Sequence, residues 1–360
     1  MVARPTLETV AALAAVSRQT VSNVLNAPHL VRPETIQRVQ AAIDEVGYRP
    51  HGAARQLRTR RSRVIGMRLE PSRDGINGAV LDRFVHALTE QAQTRGYRVM
   101  LYTAADDQAE IREYEELLDT LDIDAFLLTS THHEDPRTRW LVDREVPFVT
   151  FGRHWRPADQ TDDDPGHAWV DVDGAAGTRA AVEHLQELGH RRIGFLGWPA
   201  GSGTGDERRL GWRRAMRAAG HPDHELDALD VAGPDGVANG AEGMARLLAL
   251  AEPTAVVCAS DSLALGALAT TRLPGPGEAT GHIAVTGFDD TPVARALGLT
   301  SVAQPLTEAA GRALALLLDQ LDPGGPQITG PDRHVLLAPS IVVRDSSTPP
   351  PEDGSPDPTS

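Results

Sequence analysis

The chain has 360 residues, of which 41% are hydrophobic, so it is long enough for a small module and a larger domain with its own core. It has no run of about 18 apolar residues and no apolar segment near its first residue, which argues against a transmembrane helix and a signal peptide. Its single cysteine, Cys258, excludes an internal disulfide framework and fits a reducing cytosol, so we expect a cytoplasmic protein.

The net charge of −15 is distributed unevenly along the chain. Residues 1–63 contain ten Arg and four Asp or Glu, whereas residues 64–360 contain 25 basic and 46 acidic residues. A basic N-terminal segment in front of an acidic body indicates that only the N-terminal segment meets a polyanion such as nucleic acid.

The first 49 residues are predicted to form an all-α domain. Thr6 and Ser17 are suited to cap the first two helices, Pro33 to open the third, and Gly47 to end it. Each helix is too short to be stable alone, so the three must share a core. The helices are predicted over 7–14, 18–26 and 33–46.

The second predicted helix has the size and polarity of a DNA-recognition helix. A helix of about ten residues fits the major groove of B-DNA, and the residues at its N-terminus reach the base edges. Arg18 can donate two hydrogen bonds to guanine, and Gln19 can form a paired contact with adenine. The alternative is a three-helix bundle that binds no nucleic acid.

A larger body is predicted to follow a connecting segment, 50–63, which contains a short helix at 51–58 and a basic linker at 59–63. From Val64 onward, apolar segments alternate with helical segments, which predicts doubly wound, mostly parallel α/β sheets. Strands are predicted over 64–69, 98–103, 125–130, 148–152, 169–172, 193–198, 255–260 and 283–288. Helices are predicted over 80–95, 108–121, 136–145, 174–188, 206–219, 236–250 and 262–272.

The body, 64–345, is predicted to have two lobes, because about 280 residues exceed what one such sheet needs. The stretch 157–166 is expected to cross between them, and the tail 346–360, which has no apolar side chain, is expected to be disordered. The N-lobe is predicted at about 64–160 and 292–322, and the C-lobe at about 161–291 and 323–345.

The segment 6–26, TLETVAALAAVSRQTVSNVLN, together with RPET at 32–35 and GYRP at 47–50, resembles the head of the lac-repressor (LacI/GalR) family. The resemblance extends to about Asp345 and implies a helix-turn-helix head followed by a periplasmic-binding-protein-like body that binds an effector and dimerises. It implies that the base-reading residues are Arg18, Gln19 and Asn23, although many relatives carry Arg at the position of Asn23. It implies phosphate contacts by Thr6, Ser17, Thr20, Ser22 and Asn26, and for Ser17 a simple helix cap is an equal alternative.

Residues 50–58 resemble the hinge helix of the same family. The resemblance implies that Leu57 inserts into the minor groove, with Arg55 and Arg58 beside phosphates. The alternative is that Leu57 packs onto the body. Gly52 lowers helix stability by about 1 kcal/mol relative to Ala, so we expect the hinge to be largely unfolded away from DNA.

The resemblance also implies an effector site between the lobes, where parallel strands end. Arg208 precedes Gly211 and Trp212 at the spacing of the family's Arg-x-x-Gly-aromatic motif, although Arg209 is adjacent to it. Trp198 and Trp212 could stack on a sugar ring, and a place in the core is an equal alternative for either. The implied effector contacts are Asp74, Asn77, Trp198, Arg208, Trp212, Ser260, Asp289 and Gln304.

The effector is expected to be polar, because the stretch RDGING at 73–78 lacks the family's usual aromatic pair. With the glycine-rich loop at 197–203, this resembles the actinobacterial branch that senses oligosaccharides. His184 and His190 are interpreted as structural, and we expect no cofactor and no metal. The partners implied are operator DNA, a mono- or oligosaccharide and a second copy of the chain, with no membrane.

Two other functions are considered. An extracytoplasmic sugar-binding protein would share the two-lobed body but would need a signal peptide. An enzyme is disfavoured, because the sequence contains no Gly-x-Ser-x-Gly elbow and no phosphate-binding loop with its Lys. Whether the effector releases the protein from DNA or promotes binding is left open by the sequence.

Overall fold

The computed structural model describes residues 5–48, 61–70, 78–120, 123–155, 166–272, 283–322, 324–325 and 327–347. The chain forms two compact units, Met1–Ser62 and Arg63–Ser360. The predicted hinge helix with Arg55, Leu57 and Arg58 lies outside the described residues, as do Asp74 and Asn77. None of the described helices is long and apolar enough to cross a membrane.

The first unit contains the predicted three helices. They are α1 (Leu7–Leu13), α2 (Arg18–Asn26) and α3 (Pro33–Val46), with a short 3-10 turn at Pro28–Leu30. Each contributes small or β-branched side chains to one shared core, which explains how such short helices are stable together. The buried core residues are Val10, Ala11, Ala14, Val21, Val24, Val39, Ala42, Ile43 and Tyr48.

Local signals in the sequence set the ends of these helices. The backbone N–H of Thr9 donates to Oγ1 of Thr6 at 3.3 Å, and that of Thr20 donates to Oγ of Ser17 at 3.0 Å, so both predicted caps are present. Gly47 ends α3 with a φ of +62°, a conformation that is inexpensive only for glycine.

The second unit contains two six-stranded sheets, as expected for a two-lobed α/β body. The strands are β1 (Val64–Arg68), β2 (Arg98–Tyr102), β3 (Ala125–Leu128), β4 (Phe148–Phe151), β5 (Ala168–Val172), β6 (Ile193–Gly197), β7 (Asp230–Ala232), β8 (Ala255–Cys258), β9 (Ala284–Phe288), β10 (Thr300–Ala303), β11 (His334–Leu337) and β12 (Ser340–Val342). The helices are α4 (Gly78–Thr94), α5 (Asp107–Thr120), α6 (Pro136–Asp143), α7 (Gly174–Glu187), α8 (Thr204–Ala218), α9 (Asp223–Leu229), α10 (Val237–Ala251), α11 (Asp261–Arg272), α12 (Pro292–Ala296) and α13 (Leu306–Gln320), with a 3-10 turn at Gly330–Arg333.

The two sheets define the lobes. The N-lobe sheet has the strand order β11-β5-β4-β3-β1-β2, and all its pairs are parallel. The C-lobe sheet has the order β12-β10-β9-β8-β6-β7, and only β10 and β12 pair antiparallel. The doubly wound, mostly parallel arrangement predicted from the sequence is therefore confirmed.

The predicted lobe boundaries are wrong at three points. Strand β5 was expected in the C-lobe, but it pairs with β4 and β11 in the N-lobe sheet. Strand β10 was expected in the N-lobe but pairs with β9 in the C-lobe sheet, and β11 was expected in the C-lobe but pairs with β5 in the N-lobe sheet. The chain therefore crosses between the lobes three times, at 173, 304–305 and 338–339. Nearly all of the stretch 157–166 lies outside the described residues, and the strands before and after it, β4 and β5, both belong to the N-lobe sheet.

The predicted start of the tail at 346 is also wrong. Ser346 and Ser347 are almost fully buried. Oγ of Ser346 donates to the carbonyl of Val285 at 2.6 Å and accepts from the backbone N–H of Thr300 at 2.8 Å. These contacts fasten the described end of the body to the C-lobe sheet, and the rest of the predicted tail lies outside the described residues.

Each lobe has its own hydrophobic core. In the N-lobe the core is divided between the two faces of the sheet, because successive strand residues point to opposite faces. In β3 of the N-lobe, Leu127 belongs to the cluster covered by α4 and α13, whereas the adjacent Phe126 belongs to the cluster on the other face. One large cluster fills the C-lobe. These cores hold the strands in place, and β5, β10 and β11 each end where the chain crosses to the other lobe.

Candidate DNA-recognition and effector sites

The recognition helix α2 presents its N-terminal polar side chains to solvent. Arg18 is exposed and pairs with Glu8 through Nη1 and Oε1 at 3.1 Å, with side-chain exposures of 69% and 62%. Gln19 donates from Nε2 to Oδ1 of Asn23 at 3.0 Å. A surface ion pair of this kind contributes only about 0–1 kcal/mol, so Arg18 can exchange Glu8 for a DNA group at low cost.

The predicted phosphate contacts lie at the caps of the first two helices and along α2. Thr6 and Ser17 cap α1 and α2, and Oγ of Ser17 also lies 2.9 Å from Oγ1 of Thr20. Ser22 is half-buried on α2, and Asn26 is the last residue of that helix. In the DNA-binding head without DNA, the hydroxyl of Ser17 therefore acts as a helix cap. A helix N-terminus also attracts phosphate, so a second role for this hydroxyl is compatible with the first.

In the C-lobe, the ends of several strands place the predicted effector residues together. Trp198 follows β6, Ser260 follows β8, Asp289 follows β9 and Gln304 follows β10. Because these strands are neighbours in one sheet, their carboxyl ends share one edge. Arg208 reaches this edge from α8, where Nη1 donates to the carbonyl of Ala259.

Asp289 is the centre of this cluster. Its Oδ1 accepts a hydrogen bond of 2.7 Å from Nε2 of Gln304 and lies 3.6 Å from Nη2 of Arg208. Burial raises the pKa of Asp289 to about 7, the nearby Asp261 adds to the rise, and the positive charge of Arg208 opposes it. Its backbone has a φ of +112°, a strained conformation of the kind that clusters at binding sites.

Two buried donors in the same cluster have no hydrogen-bond partner among the described residues. They are Nε of Arg208 and Nε1 of Trp198. The guanidinium of Arg208 lies 3.7 Å from the ring centroid of Phe288 and 5.2 Å from that of Trp198, so its faces are covered by aromatic rings. An unsatisfied buried donor costs about 1–3 kcal/mol, and a ligand with hydroxyl or ether oxygens would remove that cost.

Ser260 is already engaged by the C-lobe. Its Oγ donates to Oδ1 of Asp235 at 2.5 Å and accepts from the backbone N–H of Leu263 at 3.2 Å. The sequence did not indicate Asp235, which lies before α10 and is brought to Ser260 by the packing of α10 against α11.

The prediction for Trp212 is corrected by the structure. Its side chain is fully buried, its indole N–H donates to the carbonyl of Ile193 at 3.1 Å, and its ring stacks on Phe195. Trp212 is therefore a core residue of the C-lobe, the alternative left open by the sequence. Arg209, the neighbour of Arg208, pairs with Asp230 instead of Asp289.

Comparisons with known proteins agree with this architecture. Residues 6–51 match the model of bacterial regulatory proteins of the lacI family, and residues 182–347 match a periplasmic binding protein-like domain. The HTH-type transcriptional regulator CelR of Thermobifida fusca is 38% identical over 357 residues, covering 95% of this chain and 98% of that protein. This chain belongs to the lacI family. It is a DNA-binding transcriptional regulator.

Two solved structures of the lacI family resemble the whole regulator. The first, a complex of the transcriptional regulator CelR with cellobiose, has a TM-score of 0.67 and 32% identity, and the similarity covers 95% of this chain and 100% of that chain. The second, the lac repressor dimer bound to operator and the anti-inducer ONPF, has a TM-score of 0.75 and 25% identity, and covers 96% and 100%. The similar proteins named here are regulators, not enzymes.

In this lacI-family regulator, sequence reasoning missed a set of charged residues where the lobes meet. Nη1 of Arg153, just after β4, lies 2.7 Å from Oε1 of Glu207 on α8. Nε of Arg153 lies 2.7 Å from Oδ2 of Asp171 on β5. Burial raises the pKa of Glu207 to about 7, an effect that Arg153 opposes and that Asp171 and Asp173 increase. The available signal was the position of Glu207 directly before Arg208.

The histidines interpreted as structural have hydrogen-bond partners in the C-lobe. Nε2 of His184 lies 2.8 Å from Oγ of Ser347, and Nδ1 of His190 lies 3.1 Å from Oγ1 of Thr254. Burial lowers the pKa of His184 below its ordinary value. These contacts fasten the ends of secondary structure elements to one another.

One group in the described part of the lacI-family body has the composition of a metal site. Asp107, His132 and Asp135 hold possible ligand atoms within 4.8 Å of one another. However, Oδ1 and Oδ2 of Asp135 accept hydrogen bonds from Arg137 at 2.9 and 2.6 Å, and Nε2 of His132 lies 2.9 Å from Oδ2 of Asp107. The three side chains therefore lie together because of ion pairs and hydrogen bonds around the buried Arg137.

Proposed function

We propose that this regulator acts as a homodimeric repressor whose affinity for operator DNA is controlled by a saccharide bound between its lobes. The main support is a group of buried polar atoms at the carboxyl ends of the C-lobe strands. The carboxylate of Asp289 lies there with two buried donors, Nε of Arg208 and Nε1 of Trp198, that have no hydrogen-bond partner among the described residues. A sugar offers adjacent hydroxyl groups that donate and accept hydrogen bonds, together with an apolar ring face. These features match a carboxylate, two N–H donors and an indole.

The ligand class is further supported by the relatives. The solved structure titled as a CelR complex contains cellobiose, and the regulator of that name in Thermobifida fusca is 38% identical to this chain. In the proposal, Asp289 accepts hydrogen bonds from hydroxyl groups, Arg208 and Trp198 donate to oxygens, and Gln304 and Ser260 hold the edge in place. Asp74 and Asn77 would contribute from the N-lobe.

The DNA side of the proposal rests on the head. Arg18, Gln19 and Asn23 would read bases: Arg18 and Gln19 are exposed at the N-terminus of the recognition helix, and Asn23, one turn later, is half-buried. The phosphate contacts would come from Thr6, Ser17, Thr20, Ser22 and Asn26. The hinge residues Arg55, Leu57 and Arg58 would act in the minor groove.

Two copies are needed because one head covers only a half-site. The lac repressor structure similar to this chain is titled as a dimer on operator, which supports the same assembly. Effector and DNA would then favour different lobe arrangements, so each weakens the binding of the other by the same factor. Operator DNA places the protein in the cytoplasm, and we propose no catalytic activity.

The decisive experiment measures sugar and DNA binding on the same protein. Operator duplexes are selected from a random library, and cellobiose, cellotriose, maltose and glucose are titrated by calorimetry. We expect a cellooligosaccharide to bind and to lower operator affinity. Arg208→Met should abolish sugar binding while retaining operator binding.

The matched control is Asp227→Asn, which removes an ion pair with Arg213. Arg213 lies on the same helix as Arg208 but away from the ends of the strands. Unchanged sugar affinity in Arg208→Met would contradict the proposed site. Absence of salt-dependent operator binding would favour the alternative, a sugar-binding protein without DNA function.

A further inference from the structure

A buried ion pair joins the two lobes next to the effector site. Arg153 belongs to the N-lobe, since it follows β4, and Glu207 belongs to α8 of the C-lobe. Besides the contact of Nη1 with Oε1, Nη2 of Arg153 donates to Oε2 of Glu207 at 2.9 Å, so the pair is bidentate. Both side chains are largely buried, with exposures of 21% and 12%, which strengthens the attraction between them.

Other contacts between the lobes surround this ion pair. A Cβ atom added to Gly203 would lie 2.6 Å from the ring of Trp155, so the backbone of the C-lobe loop is pressed against an N-lobe indole. Trp155 is itself fixed, because its Nε1 donates to Oγ1 of Thr131 at 3.1 Å. Nε2 of His133 lies 3.7 Å from Oδ2 of Asp206. The structure therefore has the two lobes closed at this edge.

Each partner of the ion pair has a second partner within its own lobe. Arg153 also binds Asp171 of the N-lobe, and Glu207 also accepts a backbone hydrogen bond at Gly174, the first residue of α7 in the C-lobe. When the lobes separate, Arg153 keeps a counter-charge in Asp171, and Glu207 keeps a backbone hydrogen bond. Breaking a buried ion pair is normally very costly because one charge is stranded, and these second partners lower that cost.

We propose that Arg153 and Glu207 form a reversible latch that closes the effector cleft and that they act as positioning residues for effector binding. The inference rests on the proposed function, because it assigns closure to the effector-bound arrangement. The link to the effector is structural, since Glu207 immediately precedes Arg208 on α8. Closure at Glu207 therefore fixes the helix turn that presents the guanidinium to Asp289.

The groups that face Glu207 determine how strong the latch is. Arg153 approaches it from the N-lobe with Asp171 behind, and Asp173 lies at the crossover next to the N-terminus of α7. Glu207 and Asp171 thus share one guanidinium, and Asp173 adds a third negative charge near Glu207. Removal of the arginine should therefore open the lobes more than removal of Glu207 does, because the remaining carboxylates repel one another.

The test compares Arg153→Met, Glu207→Gln and the double variant with wild type, using Asp227→Asn as the control for loss of an ion pair within one lobe. Amide hydrogen exchange is measured by mass spectrometry on the full chain without effector. In both single variants, we expect exchange at 129–134 and 199–206 to become about threefold faster or more, with no change at 223–230. In the control Asp227→Asn, we expect faster exchange at 223–230 and no change at 129–134 and 199–206.

The second measurement is the affinity for the saccharide that wild type binds. We expect each single variant to raise Kd about 5- to 50-fold, and the double variant to be no weaker than the weaker single variant, because the two residues act through one contact. Additive losses in the double variant, or wild-type exchange at both facing loops, would overturn the latch. If wild type binds operator but no saccharide, the proposed function fails and the exchange measurement alone decides the latch.

Discussion

Gln304 donates a hydrogen bond of 2.7 Å to Oδ1 of Asp289, and this bond joins a crossover between the lobes to the end of a C-lobe strand. The orientation of the carboxylate is therefore linked to the segment that must bend when the lobes rotate. On the other side, Nη1 of Arg83 on α4 lies 3.4 Å from the carbonyl oxygen of Asp289. The residue proposed to recognise the effector is thus held by both lobes.

Asp289→Asn should weaken effector binding without affecting operator binding. The amide cannot accept a charge-assisted hydrogen bond from a sugar hydroxyl, and a bond of that type contributes about 1.5–3 kcal/mol. We therefore expect Kd to rise about 10- to 100-fold by calorimetry. Gln304→Ala, which removes only the support of the carboxylate, should cost less. An unchanged Kd in Asp289→Asn would exclude this carboxylate from the site.

Effector affinity should increase with pH through neutrality. Since burial raises the pKa of Asp289 to about 7, part of the population carries a neutral acid below that pH. Deprotonation creates the better acceptor, so affinity measured from about pH 6 to about pH 8 should rise and level off. The same measurement on Asp289→Asn should lose most of this dependence. A profile that falls over this range would contradict the assignment.

The same carboxyl groups should make the body less stable as pH rises. The folded-state pKa values of Asp289 and Glu207 are both about 7, above their ordinary values of 3.8 and 4.5. Between about pH 4 and about pH 7 the folded state binds more protons than the unfolded state, so the free energy of unfolding falls with increasing pH. Urea denaturation should show a smaller fall in Asp289→Asn than in wild type. An identical slope in both proteins would argue against a raised pKa at Asp289.

Gly203→Ala should open the lobes. The new methyl group would lie 2.6 Å from the ring of Trp155, and the backbone φ of +63° disfavours a side chain as well. Gly201→Ala is the matched control, because Gly201 also has a positive φ of +92° in the same loop but no atom within 4 Å of the added carbon. We expect both variants to lower stability by about 1 kcal/mol through strain. Only Gly203→Ala should weaken effector binding, and equal effects of the two on binding would contradict this contact.

Ser17→Asp should separate the two roles of this hydroxyl. Aspartate is as good an N-cap as serine, so the head should keep its melting temperature, whereas Ser17→Ala should lose about 1 kcal/mol. If Ser17 also contacts a phosphate, the negative charge of Ser17→Asp should reduce operator affinity at least about tenfold. Wild-type operator affinity in Ser17→Asp would exclude the phosphate contact and leave helix capping as the only role of Ser17.

Arg18→Ala should reduce discrimination between operator sequences. A bidentate contact with guanine contributes about 1–3 kcal/mol, so specific affinity should fall about 5- to 150-fold while binding to unrelated duplexes changes less. Arg38→Ala removes the same charge from an exposed position on α3 and serves as the control. Equal losses in both variants would mean that Arg18 acts only through its charge.

Most regular elements before 289 were predicted to within two residues, because apolar runs and helix caps mark them, but the short α9 and β7 were missed. After this point α13 was missed, although Pro305 precedes it and its leucines recur at helical spacing, so the signal was present. The strands β10, β11 and β12 were also missed; they have only three or four residues and, unlike the four-residue strand β3, are not runs of fully buried apolar side chains.

The lobe boundaries could not be read locally. Strand β5 pairs with β11 through residues such as Trp169 and His334, and no local pattern specifies a partner so far along the chain. The proposed effector residues Arg208, Asp289 and Gln304 were predicted from the family resemblance and from the positions of the strand ends. The pair of Arg153 and Glu207 could not be predicted, because it depends on the closed arrangement of two lobes.

The three passages of the chain between the lobes have a practical consequence for protein engineering. A fragment that stops after α13 lacks β11 from one sheet and β12 from the other, so it damages both lobes at once. The uncovered edges of β5 and β10 would then be free to recruit other strands, which promotes aggregation. Chimaeras with related regulators must therefore exchange each lobe as several separate pieces of sequence, joined at 173, 304–305 and 338–339.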